Sequence, residues 1–249
     1  MYNRQLIEIH NISIDDIPAV LMRPKFKEPP YDSIIFYHGW TSQKENQIFK
    51  MAIFCYLGYQ VLIPDAYNHG ERKDEFDKSL NEIESMMTVV LKSHEEFPKL
   101  YDFLSAHNAK SVSIAGHSMG AITCGLLFPS YPEILLAMPI NGSFNLLRME
   151  ELQNMETEII KDKKIREKIE KLDAINHLDK IKDRPLYMLN GALDQVVNPR
   201  SQREFYKAIN KLYSDKKKIK YIEFEETAHV VSDKMLEEMS IFIEEYTEE

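Results

Sequence analysis

The sequence predicts an α/β protein with a mostly parallel, eight-stranded sheet and helices on both faces. Short β-rich runs alternate with helical patterns through most of the 249 residues. The later β runs are nearly continuous in apolar residues, which is typical of strands covered on both faces. Most glycines fall at or just after predicted strand ends, where open α/β sheets bind ligands; they are Gly39, Gly70, Gly116, Gly120, Gly142 and Gly191.

The elements follow one another in a regular order. The first two strands, 4–14 and 17–24, are predicted to form an antiparallel pair around a turn at Asp15-Asp16. The six later strands are predicted at 33–39, 60–66, 111–116, 134–142, 185–191 and 220–224. Helices are predicted at 43–57, 73–106, 118–128, 198–212 and 232–247.

One segment departs from this alternation. Residues 143–182 form a highly charged helical insert that directly follows the end of a predicted strand. That position favours a cap over a binding site, with Phe144 and Met149 as candidate substrate contacts. The alternative is a pair of solvated surface helices. No repeat or flexible linker is visible, so we predict a single domain, 1–249, that carries a small helical cap insertion at 143–182.

Composition limits the classes of partner. The formal net charge of −9 argues against nucleic acid or an anionic membrane surface, because both require a basic footprint. No run of 18 apolar residues predicts a membrane span, and the N-terminus has no apolar signal segment. Cys55 and Cys124 lie in apolar stretches and are predicted to be buried free thiols in a reducing cytoplasm. We therefore expect a cytoplasmic location.

A candidate nucleophile lies in the segment SIAGHSMGAI, residues 113–122. Ser118 sits between a predicted strand and a predicted helix, with Gly116 and Gly120 on either side. That context is typical of a nucleophile elbow, in which a tight turn exposes the serine at the end of the sheet. The Met119 amide then lies at a helix N-terminus, where backbone N–H groups favour negative charge.

A serine hydroxyl needs a base, and the base needs an acid to orient it. Among the histidines, His229 follows the last predicted strand, whereas His117 lies inside the elbow and is interpreted as packing. Asp194 follows the strand at 185–191, which gives the chain order Ser, Asp, His. Asp65 is the competing carboxylate, but it precedes the serine, so we assign it a structural, loop-anchoring role.

The turn after His38-Gly39 supplies the last expected element. It follows a predicted strand and can present the backbone N–H of Trp40. Together with the Met119 N–H, this would make an oxyanion hole of two backbone donors. His38 is expected to stabilise the loop. The Trp40 side chain is either a wall of the substrate pocket or a core residue.

These motifs, HGW, PDAYNHGER, GHSMG, NGALDQVV and AHVV, resemble the α/β-hydrolase superfamily over residues 30–245. More narrowly, they are similar to the small prolyl-oligopeptidase/dienelactone-hydrolase-like carboxylesterases. Dienelactone hydrolases proper use a cysteine where this chain has Ser118. The resemblance implies an α/β-hydrolase fold and hydrolysis of acyl bonds without a cofactor or metal. It also implies that PDAYNHGER runs close to the site, so Tyr67, His69 and Arg72 line the pocket, bind a substrate carboxylate, or only hold the loop.

The sequence therefore predicts a serine carboxylesterase acting on small to medium acyl esters, with Ser118, Asp194 and His229 as catalytic residues. A thioesterase or a small acyl-peptide or aminoacyl hydrolase would use the same residues. A non-catalytic ligand-binding protein of the same fold is the alternative from another class. The expected partner is a small-molecule ester, with no nucleic acid and no membrane. A homodimer through the apolar residues of the insert is left open.

Overall fold

A computed structural model describes residues 6–152 and 160–247. Its centre is one sheet of eight strands: β1 (Ile7–Ile14), β2 (Ile17–Pro24), β3 (Tyr31–Tyr37), β4 (Gln60–Pro64), β5 (Ala109–His117), β6 (Ile134–Ile140), β7 (Leu186–Gly191) and β8 (Ile219–Phe224). Their order across the sheet is β1-β2-β4-β3-β5-β6-β7-β8. All eight predicted strands are present, with ends that differ by a few residues.

The pairing within the sheet is mostly parallel. β1 and β2 pair antiparallel, and so do β2 and β4. β3 pairs parallel with both β4 and β5, and the remaining neighbours through β8 are also parallel. Seven strands, all except β2, therefore have their carboxyl ends at one edge of the sheet. The predicted fold class is confirmed.

Eight helices cover the sheet within the described residues: α1 (Ile48–Tyr56), α2 (Glu82–Ala106), α3 (Met119–Ser130), α4 (Leu146–Leu152), α5 (Lys163–Leu172), α6 (Leu178–Ile181), α7 (Pro199–Ile209) and α8 (Asp233–Thr247). The prediction of helix from residue 73 onward was wrong. α2 begins after Asn81, whose side chain accepts the Glu84 N–H while the Glu84 carboxylate accepts the Asn81 N–H. This reciprocal capping box marks the helix start.

The core lies on both faces of the sheet, because successive strand residues point to opposite sides. Ile35 and Ile114 face a cluster that includes residues of α2, α3 and α7. Ile34 and Ala115 face the opposite cluster, which is completed by α1 and α8. The predicted burial of Cys55 and Cys124 is confirmed, and both are free thiols.

The described parts of the charged segment 143–182 pack against the body of the domain. Met149 of α4 and Ile169 of α5 are buried in a third apolar cluster with Met87 of α2 and Ile122 of α3. The buried Glu84 carboxylate also accepts the backbone N–H groups of 161 and 162, directly before α5. Residues 153–159 of the predicted insert lie outside the described residues. Within the ranges described, none of the helices combines the length and apolar character that a membrane span requires.

Candidate active site

Ser118 occupies a sharp turn between β5 and α3. Its backbone has φ 57° and ψ −118°, a conformation that a non-glycine residue rarely adopts. The Ser118 N–H donates to the Ile140 carbonyl at 2.9 Å, which ties the turn to the neighbouring strand β6. Strain of this kind persists only where the surrounding structure holds it, and it is frequent at functional sites.

Two glycines allow the strand and the helix to pass closely at this turn. A Cβ on Gly116 would lie 2.5 Å from the Gly120 backbone, and a Cβ on Gly120 would lie 2.0 Å from the Tyr37 carbonyl oxygen. Both distances are far below van der Waals contact. The absence of side chains at these two positions therefore removes atoms that would clash.

Gly120→Ala is expected to lower the free energy of unfolding by about 3 kcal/mol, because the backbone of β3 must move to admit the methyl group. Chemical denaturation followed by circular dichroism measures this change. Gly39→Ala is the matched control, since its Cβ would meet nothing nearer than 3.4 Å. Equal stability of the two variants would contradict the close approach of α3 to β3.

The side chains of Ser118, His229 and Asp194 lie in one hydrogen-bonded line, called here the Ser-His-Asp array. His229 Nε2 is 2.8 Å from Ser118 Oγ, and His229 Nδ1 is 2.7 Å from Asp194 Oδ2. The three residues follow β5, β7 and β8, so the parallel sheet brings them to the same edge. The Asp194 side chain is completely buried, and the His229 side chain is 18% exposed.

Asp194 is held so that one oxygen faces the histidine. Its other oxygen, Oδ1, accepts the N–H groups of Val196 and Val197, both at 2.9 Å. An ionised carboxylate only accepts hydrogen bonds, so His229 Nδ1 must carry a proton. His229 Nε2 is then the acceptor for the Ser118 hydroxyl, which is the arrangement of a general base facing its nucleophile.

Asn141, at the end of β6, connects the loops of this array and was missed by sequence reasoning. Its Oδ1 accepts the Gly191 N–H at 2.8 Å, and its Nδ2 donates to the Val230 carbonyl at 2.9 Å. Asn141 is buried and has a positive φ of 52°. It therefore fixes the turn that leads to Asp194 against the loop that carries His229. The sequence does contain an indication of this turn, the segment ING at the end of an apolar run, because Asn tolerates a positive φ.

The loop after β3 lies against Ser118. A Cβ built on Gly39 would be 3.4 Å from the Ser118 Cβ. Over residues 6–152 and 160–247, neither the Trp40 N–H nor the Met119 N–H donates to another protein group. Backbone donors in this situation can bind an anion beside the serine.

His38 connects the loop after β3 to the loop after β4. It is buried, its Nδ1 lies 2.8 Å from the Gly39 carbonyl, and its Nε2 accepts the Ala66 N–H at 3.1 Å. Burial lowers the pKa of His38 to about 4, so it is neutral near pH 7. These bonds agree with the loop-stabilising role expected from the sequence.

His117 packs beside the Ser-His-Asp array. Its ring centroid is 4.8 Å from that of His229. Burial, followed by the proximity of His229, lowers the pKa of His117 to about 4. A neutral His117 adds no positive charge beside His229, which agrees with the packing role expected for it.

A cavity of about 210 Å³ opens beside Ser118. Trp40 and Met149, two of the predicted substrate contacts, are among its lining residues. The other lining residues are Glu82, Ile83, Met86, Ile122, Val196 and Val197, none of which the sequence singled out. The cavity is therefore mostly apolar, with Glu82 as an acidic exception.

Two predicted substrate contacts lie elsewhere. Phe144 is completely buried in the core, with its ring 5.4 Å from that of Phe205, and it is not among the lining residues of this cavity. Arg72 forms two hydrogen bonds to Glu96, at 2.6 and 3.0 Å, and donates to the Asp65 carbonyl. These contacts agree with the alternative in which Arg72 only holds the loop, because its guanidinium group is already bound to Glu96 and Asp65.

Tyr67 and His69 are also outside the lining of the cavity beside Ser118. Tyr67 borders a separate groove between α2 and α5. His69 supports the loop after β3, because its Nε2 accepts the Thr41 N–H and its ring lies 4.9 Å from that of Trp40. His69 thus supports the wall of the cavity indirectly, through its contact with the Trp40 ring.

Asp65, the competing carboxylate, joins the loop after β4 to the segment before α1. It is completely buried and accepts the Lys44 N–H, the Lys44 ammonium group and the Glu71 N–H, at 2.8–3.0 Å. This is the loop-anchoring role predicted for it. Among the described residues, no cluster of three or more His, Cys, Asp or Glu side chains has a metal-binding arrangement.

Two curated proteins are similar to this chain over most of their length. "Putative esterase YitV" of Bacillus subtilis (strain 168) is 29% identical over 247 residues, covering 91% of this chain and 94% of the relative. "Esterase YjfP" of Escherichia coli (strain K12) is 27% identical over 222 residues, covering 85% and 88%. No protein-family model matches the chain. The esterase names of both relatives support a hydrolase function.

Solved structures give the fold. TT1662 from Thermus thermophilus superimposes with a TM-score of 0.84 at 18% identity, covering 98% of this chain and 99% of that one. A structure titled "Putative Dienelactone Hydrolase", from Klebsiella pneumoniae, superimposes with a TM-score of 0.67 at 14% identity, covering 96% and 98%. The chain has the α/β-hydrolase fold. These structures and the two esterase-named relatives confirm the predicted resemblance of the chain to dienelactone-hydrolase-like esterases.

Proposed function

We propose that this α/β-hydrolase is a serine esterase that cleaves carboxylic esters of small to medium acyl groups through an acyl-enzyme on Ser118. The observation that carries the proposal is the Ser-His-Asp array, with its distances of 2.8 and 2.7 Å. The mostly apolar cavity beside Ser118 supports an acyl substrate. The esterase names of the two curated relatives support the same reaction class.

In the proposed first step, His229 Nε2 takes the proton of Ser118 Oγ as that oxygen attacks the ester carbonyl carbon. The Trp40 and Met119 N–H groups hold the developing oxyanion, a contribution of roughly 3–4 kcal/mol per donor in comparable sites. His229 then gives the proton to the alcohol oxygen as the carbon–oxygen bond breaks. The alcohol leaves, and the acyl group stays on Ser118.

The second step repeats the first with water. His229 Nε2 takes a proton from water as the water oxygen attacks the acyl carbon. The bond to Ser118 Oγ then breaks, Ser118 regains its proton from His229, and the acid leaves. Asp194 stabilises the protonated imidazole in both steps without itself being protonated. We assign to the segment 143–182 the role of a cap, with Met149 as its contribution to the cavity.

A fluorophosphonate probe is expected to label the protein at Ser118, because only an activated serine attacks the phosphorus atom at a useful rate. Peptide mass spectrometry after digestion identifies the labelled residue, and heat-denatured protein is the control. An unlabelled native protein would favour the alternative of a non-catalytic binding protein. A panel of ester, thioester and aminoacyl-amide substrates of graded length then separates the esterase from the other acyl hydrolases.

The expected cytoplasmic location, the small-molecule partner and the homodimer stay predictions. Subcellular fractionation tests the location, and light scattering tests the oligomeric state.

A further inference from the structure

Glu82 brings a negative charge into an otherwise apolar cavity. Of the described residues that line the cavity beside Ser118, Glu82 alone has a charged side chain, and six of the other lining residues are aliphatic. Glu82 is exposed at the cavity mouth, where a ligand can reach it from solvent.

The contacts of Glu82 leave part of the carboxylate available. Oε1 accepts the indole N–H of Trp40 at 3.0 Å, and this is the only hydrogen bond of the Glu82 side chain among the described residues. Glu82 is also in the first turn of α2. The second oxygen, Oε2, can therefore face a positively charged ligand.

Trp40 places an aromatic ring beside this carboxylate. The ring centroid lies 4.9 Å from that of His69 and 5.1 Å from that of Phe76, so two neighbouring rings fix its orientation. Aromatic faces attract organic cations, and indole is the most effective ring. A carboxylate joined to an indole at the mouth of an apolar cavity is suited to bind an ammonium group on an apolar chain.

We propose that Trp40 and Glu82 form a cation subsite, and that the preferred esters carry a quaternary or other substituted ammonium group. The Trp40–Glu82 subsite would hold this group while the apolar part of the cavity takes the acyl or alkyl chain. Only the preference of the enzyme for cationic esters rests on the proposed esterase function. Binding of the cation itself depends on the subsite alone.

The binding experiment uses the fluorescence of Trp40, which is the single tryptophan of the sequence. Wild-type protein is titrated with choline and with its uncharged isostere 3,3-dimethylbutanol. Choline is expected to bind about five- to tenfold more tightly, the size expected for a partly exposed charge pair with an aromatic contact. The difference should shrink in 0.5 M salt because solvent ions screen it.

Two variants separate the charge of Glu82 from other effects. Glu82→Gln keeps an oxygen that can accept the Trp40 N–H but removes the charge, so the preference for choline should disappear. Glu75→Gln is the matched control: Glu75 precedes the same helix, is highly exposed, and pairs with Lys78. Glu75→Gln removes the same single negative charge and should keep the preference.

The kinetic experiment compares choline butyrate with 3,3-dimethylbutyl butyrate. The ratio of the two kcat/KM values is expected to exceed about 5 in wild type and to approach 1 in Glu82→Gln. A role of Glu82 that is limited to positioning Trp40 would change both substrates equally and leave the ratio unchanged.

Equal binding of choline and dimethylbutanol to wild type would overturn the cation subsite. So would a choline preference that survives in Glu82→Gln. Failure of the esterase function has a different signature, because neither ester would be hydrolysed while the fluorescence titration would still report choline binding. The two proposals can therefore fail separately.

Discussion

Ser118→Ala is expected to reduce kcat for an activated ester such as p-nitrophenyl butyrate by about 10⁶, by analogy with removal of the nucleophile in other serine hydrolases. The reason is geometric. Ser118 Oγ is the atom that His229 Nε2 faces at 2.8 Å, and alanine leaves the base without a proton to take. The variant would still accelerate hydrolysis about 10³–10⁴-fold over the reaction in water, because substrate binding and the backbone donors remain.

Steady-state kinetics at substrate saturation measures this effect. Ser130→Ala is a suitable control, because Ser130 ends α3 and its hydroxyl only donates to the Leu126 carbonyl. It should keep wild-type kcat. Thermal unfolding of Ser118→Ala checks that the strained turn is still folded. A loss of less than about tenfold in a folded variant would mean that another group is the nucleophile.

Asp194→Asn is expected to lower kcat by about 10⁴, as observed when an amide replaces the acid of such an array. An amide cannot satisfy both sets of partners of Asp194. If the NH₂ group of the new Asn faces the N–H groups of Val196 and Val197, three donor groups lie together with no acceptor among them. If its NH₂ faces His229, Nδ1 must become the acceptor, and the proton moves to Nε2, which then cannot act as a base.

The test compares kcat of Asp194→Asn with that of Asp233→Asn. Asp233 is an exposed carboxylate four residues after His229, so its replacement removes the same charge near the same loop. Asp233→Asn should retain nearly full activity. Comparable losses in both variants would indicate a general electrostatic effect in place of control of the His229 tautomer.

The sequence predicted the parts of the fold that depend on local pattern. Apolar runs bounded by turns located every strand, and their parallel order placed Ser118, Asp194 and His229 at one edge of the sheet. The predicted array was recognisable because each residue follows a strand end. The exact positions of the three side chains depend on backbone packing, such as the approach of Gly120 to the Tyr37 carbonyl.

The substrate contacts were harder to predict, because an apolar residue has the same sequence signature in a core and in a pocket. Phe144 and Met149 lie close together in the chain, yet Phe144 packs against Phe205 while Met149 lines the cavity. Arg72 likewise has a partner, Glu96, that is distant in sequence. The start of α2 was readable from Asn81 and Glu84, but the helical periodicity of the preceding residues obscured it.

Asn141 has a consequence for how this enzyme fold can change. It ties the Gly191 turn to the loop of His229, and the Ser118 N–H is held by β6, so strand ends alone align the Ser-His-Asp array. Met149, by contrast, reaches the cavity from the inserted segment. Within the described residues, the insert thus contributes to the lining of the cavity but not to these contacts that align the array. Replacing Met149 is therefore a way to change the shape of the cavity while the contacts that align Ser118, Asp194 and His229 are kept.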